Sequence, residues 1–303
     1  MKTRLMIAGP TASGKTTLSI ALARALEGEI ISVDSRQCYR YMDIGTAKPT
    51  DEEMRKAPHY NVSVLDPDEE DTVSDFLKRA ENCAKEIEAK GKRVIYCGGS
   101  TLHLQSVIRP LDDVPPADPV NIQRLNLRAE QQGLESLFDM LKEADPVYAE
   151  KMDGLNRQRI IRALDVWQQT GKPFSSFHSN EPFRLPGNLR AFALHLDRAE
   201  LHRRISQRVD RMLEAGFIDE VRGLLGKGYS PGLQALNTVG YRQVISFLDG
   251  ECSYEEMSED IKTATRRYAK RQITWLRRLQ FLHWLDMNMM NEDEAISEIR
   301  SAL

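Results

Sequence analysis

The stretch Gly9-Pro10-Thr11-Ala12-Ser13-Gly14-Lys15-Thr16 follows an apolar run, Leu5-Met6-Ile7-Ala8, and leads into Leu18-Ser19-Ile20-Ala21-Leu22-Ala23, whose spacing is helical. Strand, glycine-rich loop and helix in this order make a phosphate-binding loop. The glycines let successive backbone amides turn toward one anion, and the helix N-terminus adds partial positive charge. Lys15 reaches toward terminal phosphate oxygens, and Thr16 offers its hydroxyl to a magnesium ion. The loop alone implies a ligand with adjacent phosphates and does not say which.

Working outward, Glu29-Ile30-Ile31-Ser32-Val33-Asp34 reads as a second strand that ends in a polar pair. Residues 73–90 read as a helix with Phe76, Leu77, Ala80 and Ala84 on one face. Gly91 then stops it before a third strand, Arg93-Val94-Ile95-Tyr96-Cys97, which ends at Gly98-Gly99-Ser100. Strands separated by helices imply crossover units, a parallel sheet, and ligands beyond the carboxyl ends of its strands. Asp34, Gly98, Gly99 and Ser100 are therefore expected on the rim that carries the loop. From Pro110 to Pro119, four prolines and three aspartates mark a boundary. Helical patterns without a strand follow to Gly171, then an irregular stretch over 173–187, then a strand at Arg190–Leu196. Long helices are expected at 198–214, 217–227, 237–249 and 254–285. The fold class expected is α/β: a P-loop NTPase-like core, with a parallel sheet flanked by helices, plus an all-helical insertion domain. The boundaries are 1–111 with 190–303 for the core and 112–189 for the insertion.

The 303 residues suffice for one large or two modest domains, and 41% hydrophobic with 29% charged residues fits a water-soluble globular chain. No run approaches the roughly 20 apolar residues of a membrane span. The first apolar run ends at the loop, so no signal peptide is expected. Cys38, Cys83, Cys97 and Cys252 form no closely spaced pair, which argues against a zinc site or a disulfide framework and for a cytoplasmic setting. Net charge is −3, but Lys262–Arg278 holds seven basic residues and no acidic one. Local clustering of that kind is the footprint of a polyanion site, and nucleic acid is favoured over a solvated helix face.

Several residues can carry chemistry. Asp34 at a strand end can bind metal or accept a substrate proton, or it can cap the turn that follows. The run Asp43-Ile44-Gly45-Thr46-Ala47-Lys48-Pro49 reads either as a loop over the active rim or as a surface turn. Arg159 and Arg162, three apart, suit phosphate contacts or solvation, and Arg204 and Arg208, four apart, suit a diphosphate or ion pairs with Glu200 or Glu214. Trp275 reads as core.

The chain resembles the bacterial-type tRNA dimethylallyltransferases, also called tRNA isopentenyltransferases. Gly9–Thr16, Ile31-Ser32-Val33-Asp34-Ser35, Met42-Asp43-Ile44-Gly45-Thr46-Ala47-Lys48-Pro49 and Asn156–Leu164 match the family in order. Val239-Gly240-Tyr241-Arg242-Gln243 and Lys270-Arg271-Gln272-Ile273-Thr274-Trp275-Leu276-Arg277 follow, so the match spans nearly the whole chain. The resemblance implies transfer of a dimethylallyl group from its diphosphate to N6 of the adenosine 3′ of the anticodon, in tRNAs that read codons beginning with U. It implies that Gly9, Pro10, Thr11, Ala12, Ser13, Gly14, Lys15 and Thr16 hold the donor diphosphate, with Mg2+ near Thr16. It implies Asp34 as base or acceptor for the amine, and Arg208 as the cation on the departing pyrophosphate, so that Asp34, Thr16 and Arg208 are the catalytic set. Contacts to the tRNA anticodon stem-loop are implied at Asp34, Ser35, Arg36, Gln37 and Ser100; at Gln158, Arg159, Ile160, Ile161 and Arg162; at Asn237, Thr238, Val239, Gly240, Tyr241 and Arg242; and at Lys270, Arg271, Gln272, Ile273, Thr274, Trp275, Leu276 and Arg277. A monomer without a membrane partner is expected.

Two segments depart from the family pattern. Pro58-His59 continues as Tyr60-Asn61-Val62-Ser63-Val64 rather than an apolar pair and an aspartate. Gly98-Gly99-Ser100-Thr101-Leu102-His103 stands where Gly-Gly-Thr-x-Leu-Tyr is usual. A small-molecule kinase and an adenylate prenyltransferase share the loop. The first leaves the basic helix unexplained, and the second leaves the insertion and both arginine-rich regions unexplained.

Overall fold

A computed structural model describes residues 2–109, 111–178 and 183–303. Pro110 and residues 179–182, which fall in the boundary and the irregular stretch read above, lie outside the described residues. Two compact units emerge: one takes the chain up to Arg109 and from Phe183 onward, the other the described residues between.

In the first unit, β1 (Arg4–Ala8), α1 (Lys15–Leu26) and β2 (Gly28–Val33) are followed by α2 (Asp51–Lys56), β3 (His59–Tyr60), α3 (Val73–Ala89), β4 (Arg93–Gly98) and α4 (Thr101–Ile108). The second unit holds α5 (Pro119–Gln132), α6 (Leu134–Ala144), α7 (Pro146–Glu150), α8 (Arg157–Thr170) and a short 3-10 turn at Phe174–Phe177. The chain then returns as β5 (Leu189–His195), α9 (Arg198–Glu214), α10 (Phe217–Gly226), α11 (Tyr241–Leu248), α12 (Tyr254–Leu276), β6 (His283–Asp286) and α13 (Glu292–Ser301).

The six strands form one sheet in the order β3-β2-β4-β1-β5-β6, every pair parallel. The α/β reading and the return of the chain into the sheet after the insertion are thus observed. Alternation along β1 divides the core: Met6 and Ala8 face a cluster with Phe76, Ala80 and Leu104, whereas Leu5 and Ile7 face one with Leu18, Leu22 and Ile299. Between β1 and β2 the chain skips the position that β4 later fills, and a crevice opens at the carboxyl ends of these strands, where open α/β sheets bind ligands. A third cluster, built around Phe217, Val221, Tyr241 and Ile261, packs α10, α11 and α12 together with Cys38, Tyr39 and Met42.

The C-terminal part corrects the sequence reading. The helix expected over 254–285 ends at Leu276, and the sheet gains β6, paired with β5 from Phe192↔His283 to His195↔Asp286. Leu279, Leu282 and Leu285 are buried against the sheet clusters, so tertiary packing ends the helix where no glycine or proline does. The helix expected from residue 237 begins at Tyr241, behind a turn at 237–240. Among the described residues, no helix is long and apolar enough to cross a membrane.

Candidate active site

The loop after β1 closes on itself before α1 begins. Lys15 Nζ donates to the Pro10 carbonyl at 2.7 Å, and the Ser13 N–H donates to the same oxygen at 3.3 Å. Gly14 caps α1 with φ of 93°, a left-handed conformation that disfavours any side chain. The carboxyl ends of β2 and β4 bring Asp34, Gly98 and Gly99 beside Thr11, Lys15 and Thr16, around a cavity of about 270 Å³. Ser35, Arg36, Gln37, Thr238, Val239, Gly240, Tyr241 and Gln272 border the same cavity, as does Arg208 from α9. Residues from distant parts of the sequence thus meet at one site.

Electrostatics give this cavity its character. Burial lowers the Lys15 ammonium to about 8; Cys97 and Asp34 offset part of this fall, and Arg208 adds to it. Burial likewise pulls the Arg208 guanidinium down, against the pull of the Asp34 carboxylate. Arg208 makes no hydrogen bond or close ion pair among the described residues, whereas Arg204, one turn earlier, pairs with Glu200 at 2.7 Å. The alternatives left open for the two arginines therefore divide between them: Arg204 is the ion-paired one, and Arg208 is the cation turned to the cavity. Asp34 caps the turn and leaves one carboxylate oxygen at the cavity. Its Oδ1 accepts from the Arg36 and Gln37 N–H groups at 2.8 and 3.2 Å, which caps the turn, and Oδ2 carries no hydrogen bond among the described residues.

Loop 43–49 lies over the rim, with Gly45, Thr46 and Ala47 bordering the cavity. The residue that holds it there escaped the sequence reading. Glu220 on α10 accepts the N–H groups of Asp43, Ile44 and Gly45 at 2.7, 2.6 and 3.0 Å, and the Tyr241 hydroxyl at 2.6 Å. Gly45 is required by close approach, since a Cβ there would sit 2.1 Å from the Phe217 ring. An acid next to Asp219 in the first turn of an amphipathic helix gives no sequence signal of such a role. Glu220→Gln places an amide donor among four donors. We expect KM for the phosphate ligand to rise about tenfold or more, with a modest fall in Tm, while Tyr241→Phe, which removes one bond, has a smaller effect on both. Steady-state kinetics beside thermal unfolding check this.

The remaining expected site residues differ in their surroundings. Gln272 is buried at the cavity floor and engaged by the protein: its Oε1 accepts the Thr11 N–H at 2.9 Å and its Nε2 donates to the Gly99 carbonyl at 2.8 Å, clamping α12 to the loop and to the end of β4. Ser100 is also buried, with Oγ 2.9 Å from His103 Nδ1. Burial lowers the His103 pKa, so this pair is a neutral brace beneath the rim, and the histidine that departs from the family pattern is its partner. The other departing segment is likewise structural: Asn61 donates to the Ser32 carbonyl at 2.9 Å and accepts from Arg79 at 3.1 Å. Ile160, Ile161 and Leu276 are buried in hydrophobic clusters, because each lies on the inward stripe of its helix, and they place neighbouring side chains rather than offer a surface. Trp275 packs at the edge of a core cluster and edge-on to Phe183. Arg162 is held by Asp165 at 2.6 Å and donates to the Pro115 carbonyl. Gln158, Arg159, Asn237, Arg242, Lys270, Arg271, Thr274 and Arg277 are exposed, and Ile273 is half-buried.

A second basin of about 1050 Å³ shares Lys15, Thr16, Arg208 and Met212 with the first and is rimmed by Arg203, Arg204 and Arg211. The phosphate loop thus sits at a throat with access from two sides. The cavity wall formed by Val209, Met212, Phe217, Val239 and Ile261 is apolar.

A family model described as IPP transferase matches residues 37–279. A tRNA dimethylallyltransferase of Geobacter sulfurreducens is 42% identical over 287 residues, covering 94% of this chain and 92% of the relative. The chain belongs to the IPP transferase family. Solved structures agree with the assignment. The tRNA isopentenylpyrophosphate transferase of Bacillus halodurans is 38% identical, with a TM-score of 0.73 over 100% of this chain and 95% of that one. A eukaryotic dimethylallyltransferase acting on tRNA is 26% identical, with a TM-score of 0.83 over 100% of this chain and 80% of that one. An apolar wall and a cationic throat thus lie side by side in this member of the family.

Proposed function

We propose that the chain transfers the dimethylallyl group of dimethylallyl diphosphate to N6 of adenosine 37 in tRNA, in tRNAs that read codons beginning with U, and releases pyrophosphate. The observation that carries this reading is Arg208: a guanidinium without a close anionic partner, bordering the same cavity as Lys15, Thr16 and the open oxygen of Asp34. Two half-buried cations on one cavity suit a ligand with two adjacent phosphates.

The chemistry follows from these positions. The loop amides and Lys15 bind the diphosphate, and the apolar wall from Val209 to Ile261 takes the five-carbon group. As the C1–O bond breaks, negative charge grows on the leaving diphosphate, and Lys15 and Arg208 stabilise it in place. The N6–C1 bond forms, and the proton lost from N6 passes to Asp34. Asp34 is already oriented by two backbone donors, so no reorganisation is needed at that moment. The adenine must leave the base stack to reach the cavity, as in other base-modifying enzymes.

Magnesium fits this site as a ligand-borne ion. Among the described residues no group of three metal-ligating side chains exists, while hard oxygen donors, the Thr16 hydroxyl and Asp34 carboxylate, border the cavity. Thr16 would hold the ion, which when bound neutralises part of the diphosphate charge. Four free cysteines suit a cytoplasmic setting.

The pH dependence follows from Lys15. Only the ammonium binds the donor, and its pKa of about 8 lies below the ordinary value, so donor kcat/KM falls as pH rises through about 8. Lys15→Arg, charged throughout this range, should lack that alkaline limb; a limb unchanged in the variant would assign it to another group. The reading as a whole is tested by offering labelled dimethylallyl diphosphate with tRNA, with AMP or with neither. Label is expected in tRNA alone, and label in AMP would overturn it.

A further inference from the structure

The second unit carries a pocket of its own, of about 260 Å³, bordered by Tyr148, Lys151, Met152, Arg159, Ser175 and His178, among others. Its two sides are joined by Asp145, which is 1% exposed. That carboxylate accepts the Tyr148 N–H at 3.0 Å and the Ser175 N–H and hydroxyl at 2.6 Å each, tying α7 to the 3-10 turn. Phe174 lies behind, edge-on to Tyr148 at 5.0 Å and to His178 at 4.5 Å between ring centroids, so both rings are buttressed while they border the cavity. The walls are therefore built and braced.

Two cations without close partners border this pocket, whereas of the other described cations of the unit only Lys172 is without one. Arg124, Arg128, Lys142, Arg157 and Arg162 are each engaged by a carboxylate or amide of the same unit. The side chains of Lys151 and Arg159 make no hydrogen bond or ion pair among the described residues, and both are exposed. Two cations without close partners thus flank two braced aromatic rings and two serine hydroxyls. Planar rings beside phosphate-binding cations are how proteins hold single-stranded RNA, the base stacked on the ring and the phosphate on Lys or Arg.

We propose that this pocket takes one unpaired nucleotide of the RNA substrate, its phosphate on Lys151 and Arg159 and its base against Tyr148 and His178. The proposal rests on tRNA being the substrate. It adds Tyr148, Lys151 and His178, which no sequence motif marks, to Arg159.

The test uses the full-length protein and an unmodified tRNA anticodon stem-loop, with Kd measured over a series of salt concentrations. Lys151→Ala and Arg159→Ala should each weaken binding about fivefold or more and reduce the salt slope by about one per cation removed. Tyr148→Leu keeps an apolar side chain against Phe174, and should weaken binding about fivefold or more with the salt slope unchanged. Kd for dimethylallyl diphosphate, whose site lies in the other unit, should stay within about twofold, and unchanged helix content by circular dichroism reports that the variants fold. Wild-type binding with unchanged Kd and salt slope in the two cation variants would overturn the pocket alone. Failure of the wild type to bind the stem-loop would overturn the tRNA reading and the pocket with it.

Discussion

Asp34→Asn should lower the rate of prenyl transfer by roughly a thousandfold while leaving donor and tRNA affinities within a few-fold, because general-base catalysis contributes about 100- to 10,000-fold. The substitution separates the two tasks of this side chain. An asparagine oxygen can still accept the Arg36 and Gln37 N–H groups that the carboxylate now accepts at 2.8 and 3.2 Å, so the turn after β2 persists. What is lost is the basic oxygen facing the cavity. Single-turnover rates with saturating donor and tRNA isolate the chemical step, and an asparagine variant within about tenfold of wild type would reduce Asp34 to a turn cap.

Arg208→Ala should cut donor kcat/KM by roughly a hundred- to a thousandfold, the range seen when one preorganised charge-stabilising donor is removed from a transition state. The loss should fall on donor use far more than on tRNA binding. Lysine at this position should recover little, since its point charge cannot reproduce the two-pronged geometry of a guanidinium on a diphosphate. The ligand-free variant should be as stable as wild type or more so. Burial already lowers the Arg208 pKa, and the Asp34 carboxylate, which makes no ion pair with it, offsets this only in part. A thermal unfolding scan therefore supplies a control of opposite sign: activity falls while Tm holds or rises. Equal losses in donor use, tRNA binding and Tm would instead make Arg208 a structural residue.

The core of the fold was legible because its signals are local. The loop at Gly9–Thr16, the polar end of β2 at Asp34 and the glycine turn after β4 each announce a strand end, and the sheet order brings all three together. The C-terminal region was not, because its signal is tertiary. Between Tyr254 and Leu285 no glycine or proline interrupts the sequence, and only the burial of Leu279, Leu282 and Leu285 shows that the chain has turned into the sheet. The same distinction governs the site. Arg204 and Arg208 are alike in sequence, and their difference lies in Glu200, which reaches one and not the other. Gln272 stands in a basic stretch, yet its amide serves the phosphate loop. Glu220 becomes visible only when loop 43–49 is folded onto it.

The proposed division of labour is that the phosphate loop and Arg208 hold a diphosphate that leaves, the apolar wall holds what is transferred, and Asp34 takes the proton. The most direct measurement is incubation of the protein with donor labelled in the dimethylallyl group and unmodified tRNA that reads codons beginning with U, followed by nuclease digestion and assay of pyrophosphate. Label is expected in N6-dimethylallyladenosine from position 37 alone, with one pyrophosphate released for each group transferred. Label at any other nucleoside, transfer that requires ATP, or pyrophosphate released without label in tRNA would contradict it.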